Sequence, residues 1–202
     1  MSGRARIAGA ILAGGQSRRM GENKAFLSLA GTPLIEHAIE RLQPQVSQLI
    51  LNAHEAGTAL DAFGLPVVPD AEGDHEGPLA GILAALRWAE AAGFHWIATA
   101  AIDTPFFPLD FVQRLAAAAQ DRTMAVASSG GRLHPVFGLW SATLAGELES
   151  EIGKGQRSVH QWVGRHDAGI AEWPAQPHDP FFNLNQPDDV ARAAQILAEL
   201  AP

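Results

Sequence analysis

Short apolar runs alternate with amphipathic stretches along the whole chain, and this alternation limits the fold more than any other feature. Ile7–Leu12, 48–52, 65–68, Trp96–Ala101, 124–128 and 136–140 have the length and composition of buried strands, and Gly169–Trp173 reads as an edge strand. Helical spacing marks Leu34–Leu42, 79–91, 109–119, 141–152, 158–163 and Pro187–Leu200. Pro33 and Pro78 stand at helix starts, where a missing N–H costs nothing. Strands that alternate with helices in this way build βαβ units. The expected fold is therefore α/β: a three-layer α/β/α sandwich on a Rossmann-like, mostly parallel sheet. Such sheets bind ligands outside the carboxyl ends of their strands. The polar residues respect that rule. The first strand runs into Ala13-Gly14-Gly15, the second ends at Asn52, the third is followed by Pro69-Asp70 and the fourth by Asp103.

The first of these strand ends opens a distinctive loop, Leu12-Ala13-Gly14-Gly15-Gln16-Ser17-Arg18-Arg19-Met20-Gly21-Glu22-Asn23-Lys24. Glycines let a backbone turn sharply and bring its N–H groups close to an anion. Arg18, Arg19 and Lys24 add positive charge for phosphate oxygens. Two glycines after a strand would be an ordinary βα connection; glycines with three cations point to a nucleoside triphosphate. The loop contains neither G-x-G-x-x-G nor G-x-x-x-x-G-K-[ST], which argues against a nicotinamide oxidoreductase and against a P-loop NTPase.

Bulk properties narrow the classes further. With 202 residues, 47% of them hydrophobic, the chain suits one domain over residues 1–202 with a substantial core. A net charge of −8 argues against a nucleic-acid partner. Cysteine is absent, which removes disulfides and thiolate metal sites. No apolar run approaches membrane-spanning length, and the N-terminus has no long apolar core of a signal peptide, so a cytoplasmic location without membrane attachment is expected. Only two lysines, Lys24 and Lys154, stand against twelve arginines. The rarity of lysine makes the one inside the loop more informative than an arginine would be.

The run Leu12-Ala13-Gly14-Gly15-x-Ser17-x-Arg19-Met20-Gly21-x-x-Lys24 closely resembles the signature of the molybdenum cofactor guanylyltransferases, nucleotidyltransferases with a nucleotide-diphospho-sugar-transferase fold. Four further segments resemble that family in order. They are Gly77-Pro78-Leu79-Ala80-Gly81, Asp103-Thr104-Pro105-Phe106, His134-Pro135-Val136-Phe137 and Phe182-Asn183-Leu184-Asn185-Gln186-Pro187-Asp188-Asp189. Two positions depart from the family's pattern: Asn23 stands in place of the usual Asp, and Gln186 in place of the usual Thr.

The resemblance implies transfer of GMP from GTP to the terminal phosphate of molybdopterin or its molybdenum-loaded form, with Mg²⁺ (Mn²⁺ as a substitute) and release of pyrophosphate. It implies that Arg19, Lys24 and Asp103 are catalytic and that Asp103 holds the metal. The nucleotide would lie against Leu12, Ala13, Gly14, Gly15, Lys24, Asn52, Asp70, Gly77, Pro78 and Asp103. Residues up to about 105 would form the nucleotide- and metal-binding half, and the remainder the acceptor-binding half. Other cofactor-biosynthesis proteins and recipient molybdoenzymes or their chaperones are the implied protein partners.

The residues taken by themselves leave several choices open. Asp103 before Pro105 is either a turn cap or a ligand for a hard cation. Asp70 after Pro69 is a turn former or a partner for guanine or ribose. Gly77 and Pro78 bring bare backbone to a helix start, which suits either a ligand or close packing on the sheet. Asn183 and Asn185, two apart, would share one side of a strand and could serve metal or acceptor. Lys154 and Arg157, in a basic glycine-rich loop, could meet the acceptor's phosphate or simply face water. His134 is structural or faces the acceptor. The alternatives in function are a cytidylyltransferase for the same cofactor, a sugar-phosphate nucleotidyltransferase or, in another class, a non-catalytic nucleotide sensor or cofactor chaperone.

Overall fold

The computed structural model describes residues 6–14, 24–54, 59–70 and 77–200. Its strands are β1 (Ile7–Leu12), the small pair β2 (Ser28–Leu29) and β3 (Thr32–Pro33), β4 (Gln48–Ala53), β5 (Val67–Pro69), β6 (Trp96–Ala101), β7 (Met124–Ser129), β8 (Arg132–Ser141) and β9 (Gly169–Trp173). Its helices are α1 (Leu34–Leu42), α2 (Pro78–Ala91), α3 (Phe111–Ala119), α4 (Ala145–Gly153), α5 (Val159–Val163) and α6 (Pro187–Leu200). Seven strands form one sheet in the order β5-β4-β1-β6-β8-β7-β9. Within it β8 runs against both neighbours, and every other pairing is parallel.

The side-chain alternation of β1 explains the layering. Ala8, Ala10 and Leu12 point to one face, where they pack with Leu79, Ile82 and Leu86 of α2, Leu148 of α4 and Trp162 of α5. Ile11 points to the other face and joins Ile35, Ala38 and Leu42 of α1 and Phe111 and Leu115 of α3. A strand that must be apolar on both faces is what a central parallel sheet requires. A third, smaller cluster joins Leu29 and Leu34 to Phe106, Leu184 and the α6 residues Ala193 and Ile196. It clamps the segment after Asp103 against the chain leading into α6. Among the described residues no helix is long and apolar enough to cross a membrane.

Several boundaries differ from the sequence reading, each for a physical reason. β8 begins at Arg132 rather than 136, although it contains Pro135, which cannot donate to a ladder. The register resolves this. Val126 pairs with Gly138 while the next residue, Ala127, pairs with His134, so three residues of β8 bulge out and the missing N–H is not needed. The Thr99 hydroxyl crosses to the freed Val136 carbonyl at 2.7 Å and accepts in turn from Trp140 Nε1 at 2.9 Å. The helix expected from 109 begins at Phe111, after a turn in which the Phe111 N–H reaches the Pro108 carbonyl. β5 is shifted to Val67–Pro69. The segment 183–185 is not a strand.

Candidate active site

The parallel strands β5, β4, β1 and β6 end side by side, so the residues that follow them share one rim. Ala13 N–H bonds the Asn52 carbonyl at 2.8 Å, Asp70 N–H bonds the Ala53 carbonyl at 3.0 Å and Ile102 N–H bonds the Leu12 carbonyl at 3.3 Å. These backbone links extend the ladder past the strands and fix the polar side chains in two groups.

One group forms around Asn52, which is 1% exposed. Its Nδ2 donates to Asp70 Oδ1 at 3.0 Å and to the Val68 carbonyl at 3.2 Å. The second carboxylate oxygen of Asp70 lies 3.5 Å from His54 Nδ1. Of the two glycines beside this pair, only Gly81 is required by it. A Cβ on Gly14 would lie 3.7 Å from Asp70 Oδ2, an ordinary contact, whereas a Cβ on Gly81 would lie 2.4 Å from Asn52 Oδ1, which is not tolerable without displacement. Gly81 is thus a close-approach glycine within α2. Gly77, just before that helix, has a φ of +110°, a conformation that disfavours any side chain. Pro78 follows as the first helical residue.

Gly81→Ala therefore separates two effects of opposite sign. Helix propensity alone predicts stabilisation by about 0.5–1 kcal/mol. The clash predicts destabilisation by about 1–3 kcal/mol, because buried Asn52 must move. A lower melting temperature and nucleotide affinity reduced about tenfold are expected, the latter on the scale of one hydrogen bond lost from the Asn52–Asp70 pair. A melting curve raised above wild type, with unchanged nucleotide titration, would contradict this reading of the rim.

The second group centres on Asp103. Lys24 Nζ lies 2.7 Å from Asp103 Oδ2 and 3.2 Å from Asn185 Oδ1. The two charged side chains are 14% and 18% exposed. Asp103 reaches this point because its carbonyl accepts the Leu184 N–H at 2.9 Å, which ties the β6 exit to the segment before α6. Buried Leu184 holds the flanking Asn183 and Asn185 at the surface. At the start of α6, one oxygen of Asp189 accepts from Asn185 N–H and Gln186 N–H, both at 2.8 Å. That carboxylate satisfies two free donors of the helix entry, a task that the side chain at 186 need not perform.

A metal ion fits this second group by its donor chemistry. Among the described residues no three His, Cys, Asp or Glu side chains are placed to hold a metal ion together. Here, however, a carboxylate oxygen and an amide oxygen already converge on one cation, the Lys24 ammonium. Mg²⁺ commonly takes one or two protein oxygens and completes its shell with phosphates and water.

Asn183 and Asn185 also line a cleft of about 370 Å³ with Thr104, Arg132, His134 and Phe181. Lys154 and Arg157 are not brought to it. Lys154 pairs with Glu151 at 2.9 Å and lines a separate hollow with Gly155, Gln156 and Arg165. Arg157 donates to the Ile152 and Gln156 carbonyls, closing the turn between α4 and α5. The expectation that these two residues share the acceptor site with the asparagines came from basic, glycine-rich composition; their groups are engaged locally instead. Gly15, Arg19 and Asn23 lie outside the described residues.

A profile of the MobA-like NTP transferase domain matches residues 9–169. The chain belongs to that family. It is a nucleotidyltransferase. A molybdenum cofactor guanylyltransferase of Cereibacter sphaeroides is 44% identical over 194 residues, covering 95% of this chain and 97% of the relative. A second relative of that name, from Rhizobium leguminosarum, is 44% identical over 98% of this chain and 96% of its own length. Among solved structures, molybdopterin-guanine dinucleotide biosynthesis protein A of Archaeoglobus fulgidus superposes with a TM-score of 0.76 at 26% identity, covering 96% of this chain and all of that one. A Mycobacterium tuberculosis protein crystallised with manganese shares the fold, with a TM-score of 0.68 at 21% identity over 95% of this chain and 99% of its own. The nucleotide-diphospho-sugar-transferase architecture read from the sequence is the observed one.

Membership in the MobA-like family does not by itself assign residues. The sequence singled out Lys24, Asp103 and Asn185 separately; nothing in their spacing links Lys24 to an asparagine 161 residues away. Three other contributors escaped notice. His54 stands beside Asp70, and Ser129 and Asp179 form a polar chain with His134. No periodicity or short motif connects residues 50 apart, so only the fold reveals that chain.

Proposed function

We propose that this chain transfers GMP from GTP to the terminal phosphate of molybdopterin, with or without its molybdenum, and releases pyrophosphate in the presence of Mg²⁺ or Mn²⁺. The observation that carries the proposal is the meeting of Lys24, Asp103 and Asn185 on the carboxyl-end rim of a chain that is 44% identical to enzymes of that name. A phosphate oxygen of the acceptor attacks the α-phosphorus of GTP. A new P–O–P bond forms, the bond between α-phosphorus and bridging oxygen breaks, and the electron pair leaves with pyrophosphate. The attacking oxygen is already anionic, so alignment and charge neutralisation suffice without a strong base.

In this reading Asp103, with the Asn185 amide oxygen, holds the divalent cation, which would neutralise phosphate charge when bound. Lys24 then turns from Asp103 to the triphosphate oxygens, joined by Arg19. Leu12, Ala13, Gly14 and Gly15 supply backbone along the nucleotide, while Gly77 and Pro78 bring α2 close to it. Asn52 fixes Asp70, whose carboxylate accepts from the donor edge of guanine. Residues up to about 105 form the nucleotide half, and the cleft beside Asn183 and Asn185 belongs to the acceptor half.

GTP should therefore be preferred over CTP by at least about tenfold. A charge-assisted hydrogen bond lost to the wrong base is worth roughly 1.5–3 kcal/mol. The test incubates the chain with each of the four NTPs, Mg²⁺ and molybdopterin, then measures product mass and released pyrophosphate. Equal use of CTP would sink the guanine assignment and favour a cytidylyltransferase. Pyrophosphate release with a sugar phosphate in place of molybdopterin would reassign the acceptor.

A further inference from the structure

His134 lines the cleft that also holds Asn185, so it opens directly beside the Lys24–Asp103 pair. The imidazole is held on two sides. It stacks on the Phe181 ring, with centroids 4.7 Å apart and planes inclined by 23°. Its Nε2 lies 2.7 Å from the hydroxyl of Ser129, a residue only 2% exposed. That hydroxyl in turn donates to Asp179 Oδ1 at 2.8 Å, and the same oxygen accepts the Phe181 N–H at 2.9 Å.

The direction of this chain follows from counting protons. An ionised carboxylate only accepts, and a hydroxyl has one hydrogen. Ser129 gives that hydrogen to Asp179, so between Ser129 and His134 the donor must be Nε2–H. The neutral imidazole then carries its proton on Nε2 and leaves Nδ1 as a bare acceptor, without a hydrogen-bond partner among the described residues. Burial favours the neutral ring by lowering its pKa. The charges facing it are Asp179 and Glu172, which raise the pKa, and Arg132, which lowers it. A fixed acceptor nitrogen repels a fully ionised phosphate and selects an N–H or O–H donor.

We propose that His134 is a specificity residue for the acceptor: its Nδ1 accepts a hydrogen bond from an N–H of the acceptor's planar heteroaromatic ring, and Ser129 and Asp179 are positioning residues that set the tautomer. This rests on the acceptor being a pterin phosphate, whose ring edge carries N–H donors. The phosphate of that acceptor lies toward Asn185 and the Lys24–Asp103 pair. The ring lies deeper in the cleft, toward the bulge that Pro135 forces in β8.

The test compares wild type with His134→Phe, His134→Asn and Ser129→Ala, each checked for wild-type GTP binding in the absence of acceptor. His134→Phe keeps an aromatic ring for the stack on Phe181 but removes the acceptor atom. It should raise KM for molybdopterin about fivefold to tenfold, the scale of one hydrogen bond between neutral groups. His134→Asn places a carbonyl oxygen near the Nδ1 position and should recover most of the loss. Ser129→Ala frees the tautomer and should give an intermediate KM. In wild type, KM should also rise as the pH falls below the ordinary histidine range, because protonation converts Nδ1 from acceptor to donor. His134→Asn should lack that acid limb.

Nitrogen NMR of the resting protein gives a readout independent of turnover. It should show Nε2 protonated and Nδ1 bare, with the Nδ1 signal moving when 6-hydroxymethylpterin, a ring without phosphate or dithiolene, is added. A resting His134 protonated on Nδ1, an Nδ1 signal indifferent to that probe, or equal KM in the Phe and Asn variants would overturn the proposal. If wild type makes no dinucleotide from molybdopterin while the probe still moves Nδ1, the proposed reaction fails and the ring pocket stands.

Discussion

Asp103→Asn should leave a folded protein that transfers GMP at roughly one hundredth of the wild-type rate or less, the scale of losing a preorganised electrostatic contact. Two roles for Asp103 make different demands on its side chain. As a turn residue it needs only size and an acceptor oxygen, and asparagine provides both. The local backbone is secured elsewhere, since the Asp103 carbonyl holds the Leu184 N–H and Phe106 is buried against Leu29 and Leu34. Thermal melting without ligand should therefore shift little. As a ligand for a hard divalent cation, the side chain needs its charge, and a neutral amide is a poorer donor. The stabilisation that GTP with Mg²⁺ gives to the melting curve should shrink, because ligand-linked stability follows affinity. Near-normal transfer by Asp103→Asn across a range of Mg²⁺ concentrations would reduce Asp103 to a turn residue. The cation would then have to be sought at Asn183 and Asn185.

The sheet was legible because burial on both faces writes itself into strands such as β1, where five of six residues are buried. Helix starts were legible at Pro33 and Pro78, whose chemistry is local. The strand read at 136–140 is the later part of β8, and only pairing with both β6 and β7 shows how a bulge carries the strand back through Pro135 to Arg132. At the site, each residue at a strand end could be named from sequence, since a parallel sheet sends every such end to one rim. Which of them touch could not. The pairing of Lys24 with Asn185 depends on Leu184 being buried under α6. The Asn52–Asp70 pair depends on the absent Cβ of Gly81, in a helix packed on the sheet face to which Asn52 points. Lys154 and Arg157 show a different limit of composition. Cationic composition marked them for a phosphate, whereas in the fold Lys154 pairs with Glu151 and Arg157 donates to carbonyls of its own turn, away from the cleft of Asn183 and Asn185.

Lys24→Ala should act in opposite directions on the two ligands. In the described arrangement the Lys24 ammonium sits on the two oxygens proposed for the metal, Asp103 Oδ2 and Asn185 Oδ1. A divalent cation arriving alone must displace it, which costs the ion pair and adds charge repulsion between ammonium and metal. A metal arriving with a triphosphate meets no such obstacle, because the phosphate oxygens give Lys24 a new partner. Removing the ammonium should therefore strengthen binding of Mn²⁺ alone, read by its paramagnetic resonance signal. The same change should weaken GTP binding about tenfold to a hundredfold, since a charge-assisted hydrogen bond of roughly 1.5–3 kcal/mol is lost and the other lysine, Lys154, is engaged elsewhere. Turnover should fall with GTP affinity or further. Lys24→Arg should recover only part of it, because a planar fork does not occupy the place of a compact ammonium. If Lys24→Ala binds Mn²⁺ no better than wild type while losing GTP affinity, Lys24 contacts the phosphates without guarding the metal position. If both affinities are unchanged, the Lys24–Asp103 pair is a structural tie, and the cation for the triphosphate must come from Arg19 and its neighbours in the loop.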